Sequence, residues 1–213
     1  PLYTPAIESF ELLASKGGLG EAIKEEIYYF KDKSNRELGL RFDLTMPLAR
    51  VFISQKFPLP FKRYQIEKVW RYDEPQAKRW REFWQADIDI IGSSSVIADL
   101  ECMACACECL ENLGIKNFFI RVNDRKIFEK ILEKIGYENN KKDIMRIVDK
   151  LDRLGEKKVL EEFKKIKVNG EKILNSLKQT SISDESFKEV SKNLLELLEY
   201  SKYFGINDKI KVD

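Results

Sequence analysis

Across 213 residues, 43% are hydrophobic, enough for one large domain or a domain with a smaller insertion. Charged residues make up 35% yet balance to a net +2, so bulk charge does not announce a nucleic-acid partner. No apolar run approaches the roughly 18 residues of a membrane span, and the absence of histidine removes every triad or acid–base scheme built on imidazole.

In chain order, Pro1–Glu8 predicts a short strand ending near Pro5, then a helix through Phe10, Leu12 and Leu13. SKGGLGE has the composition of a linker. IYYFKDKSNRELGLRFD predicts a hairpin, with Ile27 to Phe30 and Gly39 to Asp43 flanking a turn around Asp32 to Asn35. Its second strand sets Leu40 and Phe42 against Arg41 and Asp43. Thr45 is the expected N-cap of TMPLARVFISQ, with Pro47 in the first turn, where proline is tolerated. Asp43 and Thr45 thus stand where a strand gives way to a helix. Ligand contacts, or a capping threonine beside a solvated carboxylate, both account for them.

The stretch from Phe61 to Gly92 reads as a long antiparallel hairpin, because side chains in a strand alternate faces. Even positions carry Tyr64, Ile66, Trp70, Trp84, Ala86, Ile88 and Ile90, an expected apolar back. Odd positions carry Arg63, Gln65, Glu67, Arg71, Arg81, Phe83, Gln85, Asp87 and Asp89. Asp73, Glu74 and Pro75 supply turn chemistry between the strands. The polar front fits a binding face; a solvated face of a half-exposed sheet is the other reading.

After Gly92 a helix is expected from about Val96 to Leu113, stopped by Gly114. It holds all four cysteines, and Cys102, Cys105 and Cys109 share a helical face with Leu113 that is expected to be buried. Their spacing matches no zinc template, and they point to a reducing, cytoplasmic setting. NFFIRV predicts a strand, and Asn123 is the expected cap of a helix ending at Gly136. Strands with helices packed behind them define an α+β domain. Residues 137 to 205 are Lys/Glu/Leu-rich and helical, with breaks near Gly155, Gly170, Ser181 to Ser183 and Gly205, as in an inserted helical subdomain. Lys209 to Asp213 reads as the start of another strand. The opening PLYTPAIE, which lacks Met, is expected to be the middle of a structural element, and the chain a piece of a longer one.

A front face of arginines, acceptors and one aromatic ring suits a flat ligand bearing phosphates. Arginine offers a planar, permanently charged fork for phosphate, and a phenylalanine face can stack a purine. Without a histidine or an activated cysteine, the chemistry that fits is phosphate displacement between aligned substrates, which needs positioning and charge neutralisation more than proton transfer.

These residues carry a resemblance. WRYDEPQAKRWREFWQADIDIIG closely resembles motif 2 of the class II aminoacyl-tRNA synthetases in its histidyl form, and LRFDLTMPLAR resembles the histidine-binding segment of the histidyl-tRNA synthetase family. YTPAIE resembles the end of motif 1, and IRVNDRKI a further family stretch. The likeness spans residues 1–136, a partial catalytic core; 137–205 correspond in position to the family's insertion domain, and 206–213 to the start of the returning core strand. It implies a class II synthetase-like antiparallel sheet flanked by helices. The implied activity is histidine–tRNA ligase: L-histidine and ATP, with Mg2+ accompanying the nucleotide, form histidyl-adenylate, and the histidyl group passes to tRNA(His). By the same resemblance Arg71 holds the α-phosphate and the histidine carboxylate, Asp73 meets the adenine amino group, Phe83 stacks on adenine and Arg79 reaches the outer phosphates. Asp43, Thr45 and Gln85 receive the α-ammonium, and Asp89 takes a ring N–H of the substrate imidazole. A homodimer is implied for the full-length enzyme, a cytoplasmic location is expected, and no metal site or membrane partner is.

The family commonly has Glu where Asp43 and Asp89 stand, so each carboxylate is one methylene shorter here. The start of motif 1, the later segment with an arginine and two tyrosines, motif 3 and the anticodon-binding domain find no match, so poor activity is expected of this chain alone. The alternative is a synthetase-like regulatory subunit of ATP phosphoribosyltransferase. The retained motif 2 arginines and the LRFDLT segment speak against it.

Overall fold

Strand β1 (Ile7–Ser9) runs directly into helix α1 (Phe10–Ala14), because the Ser9 hydroxyl accepts from Leu12 N at 3.1 Å and caps the first turn. The strand therefore follows Pro5 instead of ending there, consistent with a proline that has no N–H to give a ladder. The computed structural model describes residues 3–15, 26–72, 79–179, 187 and 189–212. SKGGLGE beyond Ser15, the turn Asp73 to Pro75 and the serine cluster Ser181 to Ser183 lie outside the described residues. The chain divides into two compact units, Pro1–Ser94 and Ser95–Asp213.

In the first unit β2 (Tyr29–Lys31) and β3 (Glu37–Leu40) form the expected hairpin, and β1 pairs with the other edge of β3, giving an antiparallel order β1-β3-β2. At Gly39, in the middle of β3, an added Cβ would lie 2.9 Å from both Leu13 and Ile27 side chains. Glycine is what lets α1 settle onto this small sheet over the core of Leu13, Ile27 and Phe42. Helix α2 (Thr45–Ser54) then begins at Thr45 itself. Leu44 before it already has helical angles, so the capping acceptor is Asp43, whose Oδ1 takes Met46 N at 3.1 Å. Thr45 is exposed and caps nothing, contrary to expectation.

Strands β4 (Phe61–Trp70) and β5 (Glu82–Ile91) make the predicted long hairpin, pairing Arg63 with Asp89, Gln65 with Asp87, Glu67 with Gln85 and Val69 with Phe83. Odd residues therefore share one face, as parity required. The covered face is the opposite of the expected one. Tyr64 is 79% exposed, Ile66 58% and Trp84 65%, whereas odd-numbered Val69 is fully buried and the other odd positions are half-buried. The reason is Arg41–Leu44, bonded beside β4 through Trp70 N to Arg41 O at 3.0 Å, whose carbonyls meet odd-numbered side chains: Arg63 Nη2 donates to Leu44 O at 3.2 Å and Arg71 Nε to Phe42 O at 3.0 Å.

The second unit holds α3 (Val96–Asn112), β6 (Ile120–Val122), α4 (Arg125–Lys134), α5 (Lys141–Val148), α6 (Leu151–Lys165), α7 (Gly170–Gln179), α8 (Lys192–Tyr200) and β7 (Ile210–Val212), with β7 parallel to β6. The tail is thus a strand, as expected. Helix α3 buries Val96, Leu100 and Cys107, while Cys105, Cys109 and Leu113 are exposed and Cys102 is half-buried. The expected cysteine stripe is the wrong side of the helix, because the run Val96, Leu100, Met103, Ala104 and Cys107 offers more apolar volume to the core. Asp124, not Asn123, caps α4, accepting from Lys126 N at 2.9 Å. Gly155 interrupts α6 with a φ of 76°. One core joins Val96, Leu100 and Ile127 to Leu194 and Leu197; a second joins Leu132 to Ile144, Val159, Phe163 and Ile173. Among the described residues no helix is long and apolar enough to cross a membrane. The whole is α+β, as predicted.

Arg41, 4% exposed, is the strut of the first unit. Its Nη2 pairs with Glu67, its Nε donates to Lys68 O at 2.9 Å and its Nη1 to Thr4 O at 2.9 Å. Removing one member of a buried pair typically costs about 3–5 kcal/mol, and Arg41→Ala is expected to fall in that range. The three tryptophans, Trp70, Trp80 and Trp84, all belong to this unit, so urea denaturation followed by tryptophan fluorescence reads it directly. A loss below about 1 kcal/mol would mark the pair as one of surface type.

Candidate active site

The register of β4 and β5 places Arg63, Gln65, Asp87, Asp89 and Gln85 in one block on the covered face, with Phe83 and Arg71 at its far end. Arg63 is the organiser. Its Nη2 lies 2.7 Å from Asp89 Oδ2 and donates to Leu44 O at 3.2 Å, while Nη1 donates to Gln65 Oε1. Gln65 Nε2 in turn reaches Thr4 Oγ1 at 3.0 Å. The guanidinium side chain is only 9% exposed, so Asp89 is held in place by a buried cation. The contact is ionic and lacks hydrogen-bond alignment, leaving Asp89 Oδ2 without a hydrogen-bond donor.

Arg71 follows the last residue of β4. Its backbone N donates to Arg81 O at 2.9 Å, closing the two strands, and its Nε donates to Phe42 O at 3.0 Å. The guanidinium stands 5.1 Å from the centroid of Phe83, over one ring face. This cation–π contact pre-sets the fork while its terminal nitrogens have donors to spare for an anion. Asp43 is 4% exposed and anchored by Met46 N. Gln85 Oε1 is buried and has no hydrogen-bond partner among the described residues. A buried carbonyl left unpaired costs about 1–3 kcal/mol, so it marks a place where a donor from a ligand would be stabilising.

Of the residues singled out from the sequence, Arg71, Phe83, Gln85 and Asp89 lie on the same hairpin face. Asp43 belongs to the segment laid along it, and its charge is felt at Asp87. Thr45 is exposed at the start of α2 and Arg79 is exposed on a bridge residue before β5. Asp73 lies outside the described residues. Arg63 and Asp87 drew no role from the sequence. The signal for Arg63 was its cross-strand register with Asp89; that for Val69 was an apolar side chain at an odd position. Among the described residues, no group of three or more His, Cys, Asp or Glu could hold a metal ion. A metal accompanying a nucleotide would be held chiefly by phosphate oxygens.

Burial, and then the charge on Asp89, push the Asp87 carboxyl above the ordinary aspartate range; Asp43 adds to this, while Arg63 and Arg71 pull against it. The face is thus electrostatically unsettled at one position and tightly paired at another.

Comparison with known proteins supplies the wider setting. The family described as "Histidyl-tRNA synthetase" matches residues 2–208. A histidine–tRNA ligase of Nanoarchaeum equitans is 41% identical over 214 residues, covering 100% of this chain and 50% of that protein. One from Clostridium tetani is 40% identical over 235 residues, covering 100% of this chain and 52% of the other. The chain therefore spans about half the length of these curated relatives. Among solved structures, an ATP phosphoribosyltransferase regulatory subunit/histidyl-tRNA synthetase from Bacillus halodurans superposes with a TM-score of 0.76 at 19% identity, over 100% of this chain and 58% of that one. At that identity the likeness establishes the fold.

The buried pairing makes a direct prediction. Asp89→Ala strands the Arg63 guanidinium and is expected to destabilise the first unit by about 3 kcal/mol. Replacing both, Arg63→Met with Asp89→Leu, should recover much of that. A double-mutant cycle by urea denaturation is expected to give a coupling above about 1 kcal/mol; strict additivity would show that the two charges act independently.

Proposed function

We propose, for a chain that belongs to the histidyl-tRNA synthetase family, that the covered face of the β4–β5 hairpin activates L-histidine with ATP and that the whole protein passes the histidyl group to tRNA(His). The observation that carries the reading is the buried, unpaired Gln85 Oε1 set between the Arg63–Asp89 pair and Arg71. An acceptor, an anchored carboxylate and a pre-set arginine in one row match an ammonium, a ring N–H and a carboxylate or phosphate on one small ligand.

In this reading a carboxylate oxygen of histidine attacks the α-phosphorus of ATP. The bond to the bridging oxygen of the β-phosphate breaks, and pyrophosphate leaves with the electron pair. Arg71 faces the α-phosphate and the histidine carboxylate, lowering their mutual repulsion and stabilising the charge that builds at phosphorus. Phe83 stacks one face on adenine; the Arg71 guanidinium over the other face fixes the ring's tilt. Arg79 takes the outer phosphates, Asp73 the adenine amino group, and Mg2+ enters as the magnesium complex of ATP. Asp43, Thr45 and Gln85 receive the α-ammonium. Asp89, held by Arg63, accepts the ring N–H, and a side chain that leaves this acceptor unpaired is rejected by about 10⁴-fold. The helical residues 137–205 serve as the family's insertion domain and 1–136 as its catalytic core, in a homodimer of the full-length protein.

Pyrophosphate exchange with the 213-residue chain tests this. Exchange should depend on L-histidine and run well below the rate of a full-length relative. Arg71→Ala should lower it a further 10²–10³-fold, equivalent to about 2.7–4 kcal/mol. The same change should cost only about 1–2 kcal/mol of stability, from the bond to Phe42 O. If neither exchange nor histidine binding by calorimetry is found in the folded chain, the reading fails.

A further inference from the structure

We propose that Asp87 is a further ligand-facing carboxylate of this site, a specificity residue whose negative charge is matched to the α-ammonium of the amino-acid ligand. The inference rests on the histidine reading above and adds to it a residue to which that reading gives no role.

Register is the first support. Asp87 stands opposite Gln65, flanked on its own strand by Gln85 and Asp89 on the same face. It therefore sits between the acceptor and the anchored carboxylate. The second support is its lack of a structural task. Each other charged side chain of the block is engaged: Asp89 with Arg63, Glu67 with Arg41, Asp43 with Met46 N and Arg71 with Phe42 O. Among the described residues Asp87 accepts no hydrogen bond and forms no ion pair. Gln65 opposite it is already turned to Arg63 and Thr4.

Charge is the third. Around Asp87 stand the carboxylates Asp89 and Asp43 and the guanidinium groups Arg63 and Arg71. Three negative charges against two positive leave a surplus of one. The fold itself works against that surplus, since burial and the two neighbouring carboxylates raise the proton affinity of Asp87. A residue that the fold disfavours and no neighbour uses is readily explained by a ligand that brings the missing positive charge. An ammonium a few ångströms away balances the block, and the unpaired Gln85 Oε1 next to it supplies a neutral acceptor for the same group.

The sign for stability follows. With a folded-state pKa raised above its unfolded value, Asp87 favours the fold only in its protonated form. That contribution is lost as pH rises through the raised range. Removing the charge at neutral pH therefore relieves the fold, whereas it weakens binding of a cation.

The experiment is Asp87→Asn, read by calorimetry with L-histidine, with histidinol, which keeps the ammonium but lacks the carboxylate, and with ATP. Affinity for both amines should fall about tenfold, the scale of one partly screened charge. ATP affinity should stay within about twofold, and thermal stability at neutral pH should be no lower than in the unsubstituted chain. The acid-side loss of histidinol affinity that protonation of Asp87 causes should be absent from the variant. Unchanged amine affinity, an equal loss for ATP, or a drop in stability would each overturn the proposal. Failure of the unsubstituted chain to bind histidine would instead overturn the reading beneath it.

Discussion

A buried guanidinium decides how the first unit is put together. Arg41 has left the strand it follows, and its three nitrogens reach Glu67, the backbone of Lys68 and both oxygens of Thr4. A charge this deep is tolerated only when every donor finds an acceptor in good geometry. The acceptors come from the N-terminal segment and from β4, so satisfying Arg41 brings those two stretches together. Backbone bonds from Arg41 N to Ala6 O and from Trp70 N to Arg41 O lock the same alignment. Everything downstream inherits it. Leu44 O is placed to take Arg63, Phe42 O to take Arg71, and Asp43 to lie beside the hairpin with its carboxylate buried. The site is thus a by-product of one ionic strut: the segment that carries Asp43 cannot move without unpairing Arg41.

Much of this was legible in the residues, and the limits have a physical cause. Strand alternation is a property of the chain alone, so the hairpin, its odd-numbered polar face and its α+β setting could be read directly. Which face is covered is a property of what packs on it, and parity is silent on that. Tyr64, Ile66 and Trp84 resemble a core because they are apolar; Arg63 and Gln65 resemble a surface because they are polar. The structure inverts both, since Arg41 and Thr4 supply partners for the polar face that no local pattern announces. Val69, apolar at an odd position and fully buried, was the residue that pointed the other way. The cysteines of α3 repeat the lesson in helical form. Two stripes were available, and the one with the larger side chains won the core. Caps went astray by one or two residues for a related reason: Asp43 and Asp124 outcompete Thr45 and Asn123 because a carboxylate reaches the free N–H groups from where the backbone bends.

The division of labour among the arginines is the sharper result. All three are permanently charged, yet their surroundings assign them different tasks. Arg41 is saturated and buried, so it builds. Arg63 is nearly as buried but spends one arm on Asp89, so it positions. Among the described residues Arg71 has only its Nε hydrogen-bonded, and it lies over an aromatic ring, which leaves the outer fork aimed and uncommitted. A sequence reads these as three equal letters on a polar face. From saturated to uncommitted the order is Arg41, Arg63, Arg71.

That gradient bears on how such a face can combine rigidity with binding. A guanidinium whose donors are all used contributes no affinity, and one with none used wastes entropy when a ligand orders it. Arg71 is between the two: the Phe42 carbonyl and the Phe83 ring restrict its rotamer, while its terminal nitrogens still have hydrogens to donate. The carboxylates follow the same order in reverse. Asp89 is held by Arg63, whereas Asp87, two residues back along β5, has no hydrogen-bond or ion-pair partner among the described residues. A ligand with a cation at one end and an anion at the other completes both series at once, its cation answering the unheld carboxylate and its anion the unfilled fork. Under the reading proposed above, an amino acid carries both charges on one small molecule and so meets the unheld carboxylate and the unfilled fork together.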